Sequence, residues 1–505
     1  MNIKKFNYMK KTLLFIAILS LVQLTTFAQD YGDFPKIEKQ KLLNDLELLY
    51  QGLDKFHSGM YWYTSKKTVD SAFAKVKNEI NRDMNVLEFH KLIAALVSLS
   101  REGHTSLSLS DSIKKKVIAE VTFLPLTVKF LGGKLYCYSN GSAYNDSLKG
   151  LEIESINGVK PLEIAEKLGS FYPSDGYIKS VKKYYLGHFN LSKSYFYYYG
   201  ETNNFSIKFK NKKAPIIIEA LTIKEINKNI LKRKTRKKTS KKKELLEYKI
   251  LNDSTAYLGI HSFSNDDLIE MYGDLTLKIF LENSFESIAE KNIQNLIIDV
   301  SKNSGGTEGN GSMLYSYLGE NFKKYNQVRV NTNKGSLDNG VDKPIILKVF
   351  RPLEKVFYNK KMGNGSYERR QWPGNGLMAY KKEPKNKFKG KTFIMVGPRT
   401  YSGGSEFSNL VYTNNLVTFV GQETGGGYYG NTSGYSQKLV LPNSEIKITI
   451  PTLQFDMNVN PTLPFGSGVI PHYEVIPTME EFINNKDVVL EFILNKISNP
   501  DSTQK

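Results

Sequence analysis

The chain has 505 residues, 40% of them hydrophobic, with 31 Tyr and 28 Phe; at roughly 100–200 residues per domain it is too long for one ordinary core, and too aromatic for wholesale disorder. Its single cysteine, Cys137, excludes an intramolecular disulfide and argues against a Cys-ligated zinc site. The formal charge of +20 invites a nucleic-acid reading, but four of the positive charges sit in Lys4, Lys5, Lys10 and Lys11 and nine in the stretch from Lys232 to Lys243, and without these about +7 remains.

In chain order, the four N-terminal lysines precede an apolar stretch from Thr12 to Leu24, and Thr26-Phe27-Ala28 offers a small-residue cleavage site. This layout predicts a secretory signal peptide over residues 1–28, short for a spanning helix, and hence an exported, periplasmic or extracellular protein. No later segment reaches the ~18 apolar residues of a transmembrane helix, so no stable membrane span is expected after cleavage. Residues 38–100 carry apolar positions at three- and four-residue spacings, among them Leu42, Leu46, Leu49, Leu53, Phe73, Val76, Phe89, Leu92 and Leu96. They predict a helical N-terminal domain over 29–112, ending near Arg101-Glu102-Gly103-His104.

Residues 113–222 read as a β-rich domain, with strand-like runs at Val117 to Val121, Leu126 to Phe130 and Lys134 to Tyr138 between turn residues. Within it, Gly150-Leu151-Glu152-Ile153-Glu154-Ser155-Ile156-Asn157-Gly158 is followed by a helical pattern from Leu162 to Leu168. This segment resembles the G-x-x-I-x-x-I-N-G stretch of PDZ domains, which take an extended peptide as an added strand; a generic hairpin followed by a helix is the plainer alternative. The basic run then marks a linker over 223–247. It has no interleaved aromatics and reads as a solvated segment, with a polyanion-binding role as the competing reading; no nucleic-acid partner is expected.

From 248 to 498 buried β runs alternate with helical patterns. Strands are predicted at Ala256 to Ile260, Asn295 to Val300, Lys391 to Val396 and Leu416 to Gly421, and helices at Leu275 to Ile288, Ser312 to Leu318 and Phe407 to Asn414. The fold class is α/β with a largely parallel sheet. Two turns in this region carry chemistry. After the strand ending at Asp299, Asn303-Ser304-Gly305-Gly306 lets the backbone approach a ligand and present N–H groups to a negative oxygen. After the strand ending at Val396, Ser402 precedes Gly403 and Gly404 at a helix start. That is the setting of a serine nucleophile with an oxyanion N–H beside it, and equally that of a helix-capping serine.

The Asp299–Gly306 turn, the serine turn and Val420-Gly421-Gln422-Glu423-Thr424-Gly425-Gly426 stand in the order of three blocks of the S41 peptidases. The chain thus resembles that family, which includes the C-terminal processing proteases and tricorn-core-like enzymes. The resemblance implies a crotonase/ClpP-like catalytic domain, with Ser402 as nucleophile and Gly403, Gly305 and Gly306 as the oxyanion hole. The processing branch uses a lysine 25 residues after the serine; here that count lands on Gly427. The tricorn-like branch uses a histidine in a D-G-H-T-x-L segment, which Glu102-Gly103-His104-Thr105-Ser106-Leu107 resembles. His104 is therefore the expected general base. The third residue of the triad is open: Phe465 stands at the family's Glu position, His472 replaces a nearby Asp, and Glu423 or Glu406 are alternatives. The implied activity is hydrolysis of a peptide or protein substrate through an acyl-enzyme. A catalytically inactive peptide- or ligand-binding protein on the same scaffold is the alternative. No cofactor is implied, and no His/Asp/Glu cluster has metal-ligand spacing.

Overall fold

The computed structural model describes residues 31–144, 147–233, 244–320, 323–332, 358–370 and 383–499. The expected signal peptide and most of the basic run lie outside these residues. Among them, no helix is long and apolar enough to cross a membrane.

The C-terminal part is built on a six-stranded sheet. Its strands, in spatial order, are Leu246–Asn252, Thr255–Ile260, Asn295–Asp299, Lys391–Val396, Thr418–Gly421 and Tyr473–Glu474. The first pair is antiparallel and the other four pairings are parallel. Strands buried on both faces read as continuous apolar runs, as this sequence does. Alternation still sorts the side chains. Leu296, Ile298, Ile394 and Val396 enter the main core with Phe285 and Phe407, whereas Ile297, Phe393 and Met395 pack on the other face against Ile493 of the helix Val488–Ser498.

The middle region, 126–219, is a five-stranded antiparallel meander with a core of its own. Its strands are Leu126–Leu131, Lys134–Asn140, Glu152–Ile156, Asn204–Phe209 and Ile216–Glu219, and the helices Pro161–Leu168, Ser180–Leu186 and Asn190–Tyr199 enter between the third and fourth. The expected run at Val117 to Val121 is not a strand. It is the end of a helix, Asp111–Glu120, whose first turn is capped by Ser110 accepting from the Ile113 N–H. Its β-branched residues favoured extended backbone, but the cap and the adjoining Asp111 favoured the helix, which buries only Val117.

The helical N-terminal region consists of Lys39–Phe56, Lys66–Glu79 and Val86–Ser98. Its core continues into a distant hairpin: Leu439, Leu441, Ile446, Ile448 and Ile450 pack with Leu42, Leu49 and Phe89. Ser106–Ser108 adds a third strand to that hairpin, with Leu107 opposite Ile448. Asp45, fully buried, accepts from the Ser444 N–H and hydroxyl at 2.8 and 2.7 Å. A buried carboxylate with satisfied lone pairs makes this join specific as well as apolar. The segment Arg101-Glu102-Gly103-His104 is thereby fixed next to the C-terminal sheet.

Candidate active site

The serine turn begins where the strand Lys391–Val396 meets Gly397-Pro398. Thr400 closes the turn: its hydroxyl donates to the Val300 carbonyl at 2.9 Å and accepts from the Gly397 N–H at 3.1 Å. The Tyr401 N–H donates to the Asn303 carbonyl at 3.0 Å, so the two chemistry-bearing turns are bonded to each other. Ser402 follows with φ 51° and ψ −125° and is half-buried. A non-glycine residue there costs about 1–3 kcal/mol of backbone strain. Its hydroxyl makes no capping bond to the helix Gly403–Thr413 that it precedes. A capping serine has extended backbone and accepts from an N–H two or three residues on; Ser402 does neither. The strain instead presents Oγ to the Gly305–Gly306 turn.

Gly305 has φ +101°, and a Cβ there would stand 2.7 Å from Ser402 Cβ and 3.0 Å from its Oγ. No side chain fits between the two turns. The Gly305 N–H, expected in the oxyanion hole, is committed to Asn303 Oδ1 at 2.8 Å. In this arrangement the N–H points at Asn303 rather than standing free for an oxyanion. Asn303 also donates to the Ile260 carbonyl at 3.0 Å, so it shapes the loop from its fully buried position. Gly306 and Gly403 keep N–H groups with no partner among the described residues, and their backbones face each other. Those two N–H groups, beside Ser402 Oγ and at a helix N-terminus, can receive a developing oxyanion.

His104 reaches the site from the N-terminal region. Its ring stacks on Tyr401, centroids 5.0 Å apart, and Nδ1 lies 3.4 Å from the Tyr401 hydroxyl. Burial lowers its pKa, opposed by the charges of Asp175 and Glu406. Glu102, the neighbour that replaces the family's Asp, is fully buried and points away, with Oε2 accepting from the Thr432 N–H and hydroxyl, both at 2.9 Å. Oε1 has no partner. Burial, then the nearby Asp175 charge, push its pKa far up; burial raises that of Asp175 too, opposed by His104 and by the Gly103, Gly427 and Tyr401 donors that favour its ionised form.

Neither alternative third residue bonds to His104. Glu406 is held by Lys324 at 2.8 Å, Tyr325 at 2.8 Å and Asn431 at 3.0 Å; burial raises its pKa, but the Lys324 charge brings it below the usual range. Glu423 accepts from the Gly468 N–H at 3.1 Å, and burial raises it. Phe465 is half-exposed against Tyr63 and Tyr429. His472 accepts from the Phe419 N–H and stacks on Tyr412, a packing role. His57, bonded to Thr105 at 2.7 Å and driven by burial to a pKa of about 3, is likewise structural.

Two residues absent from the sequence-based set lie at the centre. Asp175, fully buried, accepts from the Gly103 N–H at 2.8 Å, the Tyr401 hydroxyl at 2.9 Å and the Gly427 N–H at 3.1 Å. Tyr401 is the second. Its place beside Ser402 was visible; nothing in Ser174-Asp175-Gly176 announced a carboxylate bound for this site. Gly427, where a lysine base would stand, gives its N–H to Asp175, and a Cβ on it would meet the Gly430 carbonyl at 2.6 Å. No group of three or more His, Cys, Asp or Glu able to hold a metal occurs among the described residues.

The fold has counterparts among solved structures. The chain is similar in fold to the crystal structure of mature CPAF, with a TM-score of 0.59 and 12% identity over 92% of this chain and 99% of that one. A structure of mature CPAF complexed with lactacystin gives a TM-score of 0.60 and 13% identity over 91% and 99%. At such identities the likeness is one of fold. No curated protein matches the chain at a significant level. Residues 254–475 match the sequence model of Peptidase family S41, a stretch that includes both turns and Ser402, and the chain therefore carries a serine-type peptidase domain of that family.

Proposed function

We propose that the protein is an exported peptide hydrolase that works through an acyl-enzyme, with Ser402 as nucleophile and His104 as general base. One observation carries the proposal. Ser402 sits in strained, left-handed backbone with its hydroxyl free of the helix cap, directed at the Gly305–Gly306 turn. In the reaction His104 removes the Oγ proton as Oγ bonds to the scissile carbonyl carbon. The carbonyl oxygen takes the electron pair and is held by the Gly306 and Gly403 N–H groups. Collapse of the tetrahedral adduct breaks the C–N bond, and His104 returns the proton to the departing amine. Water then repeats the sequence on the ester. The lowered pKa of His104 keeps it neutral, and so able to accept, at neutral pH.

Export rests on the leader-like residues 1–28, and a peptide-docking role for the middle region rests on its PDZ-like segment. The test of the chemistry is direct. Wild-type protein should be labelled by an alkyl fluorophosphonate, and Ser402→Ala should lose both labelling and hydrolysis, by about 10⁶-fold in rate if the serine acts as in other serine peptidases. Equal labelling of the two proteins would refute the assignment. The missing family Glu at position 465 favours a second reading, an inactive peptide-binding protein. It predicts a folded wild type that never reacts with the probe.

A further inference from the structure

With Phe465 at the family's Glu position and with Glu406 and Glu423 bonded elsewhere, His104 has no carboxylate hydrogen-bonded to it among the described residues. We propose that Asp175, from the middle region, is its positioning carboxylate, acting through the Tyr401 hydroxyl and the Gly103 N–H. The inference rests on the Ser402–His104 reading.

The hydrogen bonds fix the proton positions. All three contacts to Asp175 come from donors: Gly103 N–H, Tyr401 O–H and Gly427 N–H. A carboxylate that only accepts is satisfied in its ionised form. The Tyr401 hydroxyl has one proton, and at 2.9 Å it goes to Asp175. The 3.4 Å contact with His104 must then be donated by Nδ1, with the Tyr401 oxygen accepting. That selects the Nδ1–H tautomer and leaves Nε2 with the lone pair that takes the Ser402 proton. The contact is long, as catalytic hydrogen bonds often are without substrate. Tyr401 is held neutral by burial and by the Asp175 charge, which both raise its pKa.

The same carboxylate also fixes position. Gly103 precedes His104, and a Cβ on Gly103 would stand 2.1 Å from the Tyr401 hydroxyl, so the loop is closed down on this oxygen. Gly427 belongs to the glycine turn that includes Gly426, whose side-chain position lies 3.3 Å from Ser402 N. Asp175 thus joins the base loop to the nucleophile turn. When His104 takes the proton, the Asp175 charge stabilises the imidazolium across the Tyr401 hydroxyl, as a triad carboxylate does by direct contact. The charged groups acting on His104 are Asp175 and Glu406. Glu406 is paired with Lys324, and burial favours the uncharged form of the adjacent Glu102.

The test uses the full chain and the rate of Ser402 labelling by an alkyl fluorophosphonate as a function of pH. Asp175→Asn should slow labelling by about 10²-fold, the low end of a general base's contribution. It should also move the acid limb to lower pH, because a charge that raises the His104 pKa is gone. Tyr401→Phe should slow labelling about 10-fold and move the limb the same way. A merely structural Asp175 would not move the limb. Wild-type rate and limb in a folded Asp175→Asn would overturn the inference; should that variant fail to fold, the same result in Tyr401→Phe would overturn it. If Ser402→Ala is labelled as fast as wild type, the underlying site is wrong, which is a distinct outcome from a silent Asp175.

Discussion

The serine and the histidine of this site are held by different kinds of structure. Ser402 follows a strand buried between two parallel neighbours, and within five residues of it Gly397, Thr400 and Tyr401 are each bonded to the adjoining turn or to one another. His104 sits on a loop whose support comes from afar: Asp175, Tyr401, Thr432 and the strand Lys447–Pro451. The serine side is fixed by two turns at the ends of neighbouring strands of one sheet, bonded to each other, so it can carry strain. The histidine side is fixed by a few long-range polar contacts, so its chemistry depends on charges that three separate segments bring together.

The contrast can be attacked from the serine side first. Gly305→Ala should reduce labelling on the order of 10²-fold, the cost of displacing a reacting atom by about 1 Å, while the circular-dichroism spectrum stays native. Near-wild-type labelling would mean that the turns are not in close contact. On the histidine side the expected effect is a shift rather than a loss. Burial lowers the His104 pKa from its ordinary 6.5, so the acid limb of labelling should reach its half-maximum below pH 6.5. A half-maximal rate at or above pH 6.5 would contradict the buried, weakly compensated setting.

The smallest effect is on stability alone. Glu102 has a folded pKa raised above its ordinary 4.5. Its contribution is therefore intact below pH 4.5 and erodes as pH rises toward the folded value. Glu102→Gln keeps an acceptor for Thr432 and has no proton to lose. It should melt with wild type near pH 4 and gain on the order of 1 kcal/mol over it by pH 8. Parallel curves for the two proteins would show that Glu102 is ionised in the fold.

The same division explains what could be read in advance. The strand Lys391–Val396, the Gly-Pro stop and the Ser-Gly-Gly start of the helix are contiguous, so their pattern is visible in the sequence. Whether Ser402 caps or attacks is a question of one φ angle, which no residue type determines by itself. Asn303 matches a family block, yet its hold on the Gly305 N–H is a matter of side-chain direction. Asp175 lies 227 positions before Ser402 in a turn with no periodicity, and only the packing of the middle region brings it to Gly103. The helix Asp111–Glu120 is hard to see in the sequence because its capping signal is a single serine, set against several β-branched residues.

The hairpin Ser436–Pro451 lies inside the family-matched stretch 254–475, but its apolar side chains are covered by helices that begin at residue 39. The inherited module and the folding unit therefore have different limits. A fragment cut at the limits of the match would bare Leu439, Leu441, Ile446, Ile448 and Ile450 to water and would lack His104. In this chain the part that marks the family cannot be separated from the part that covers its apolar hairpin.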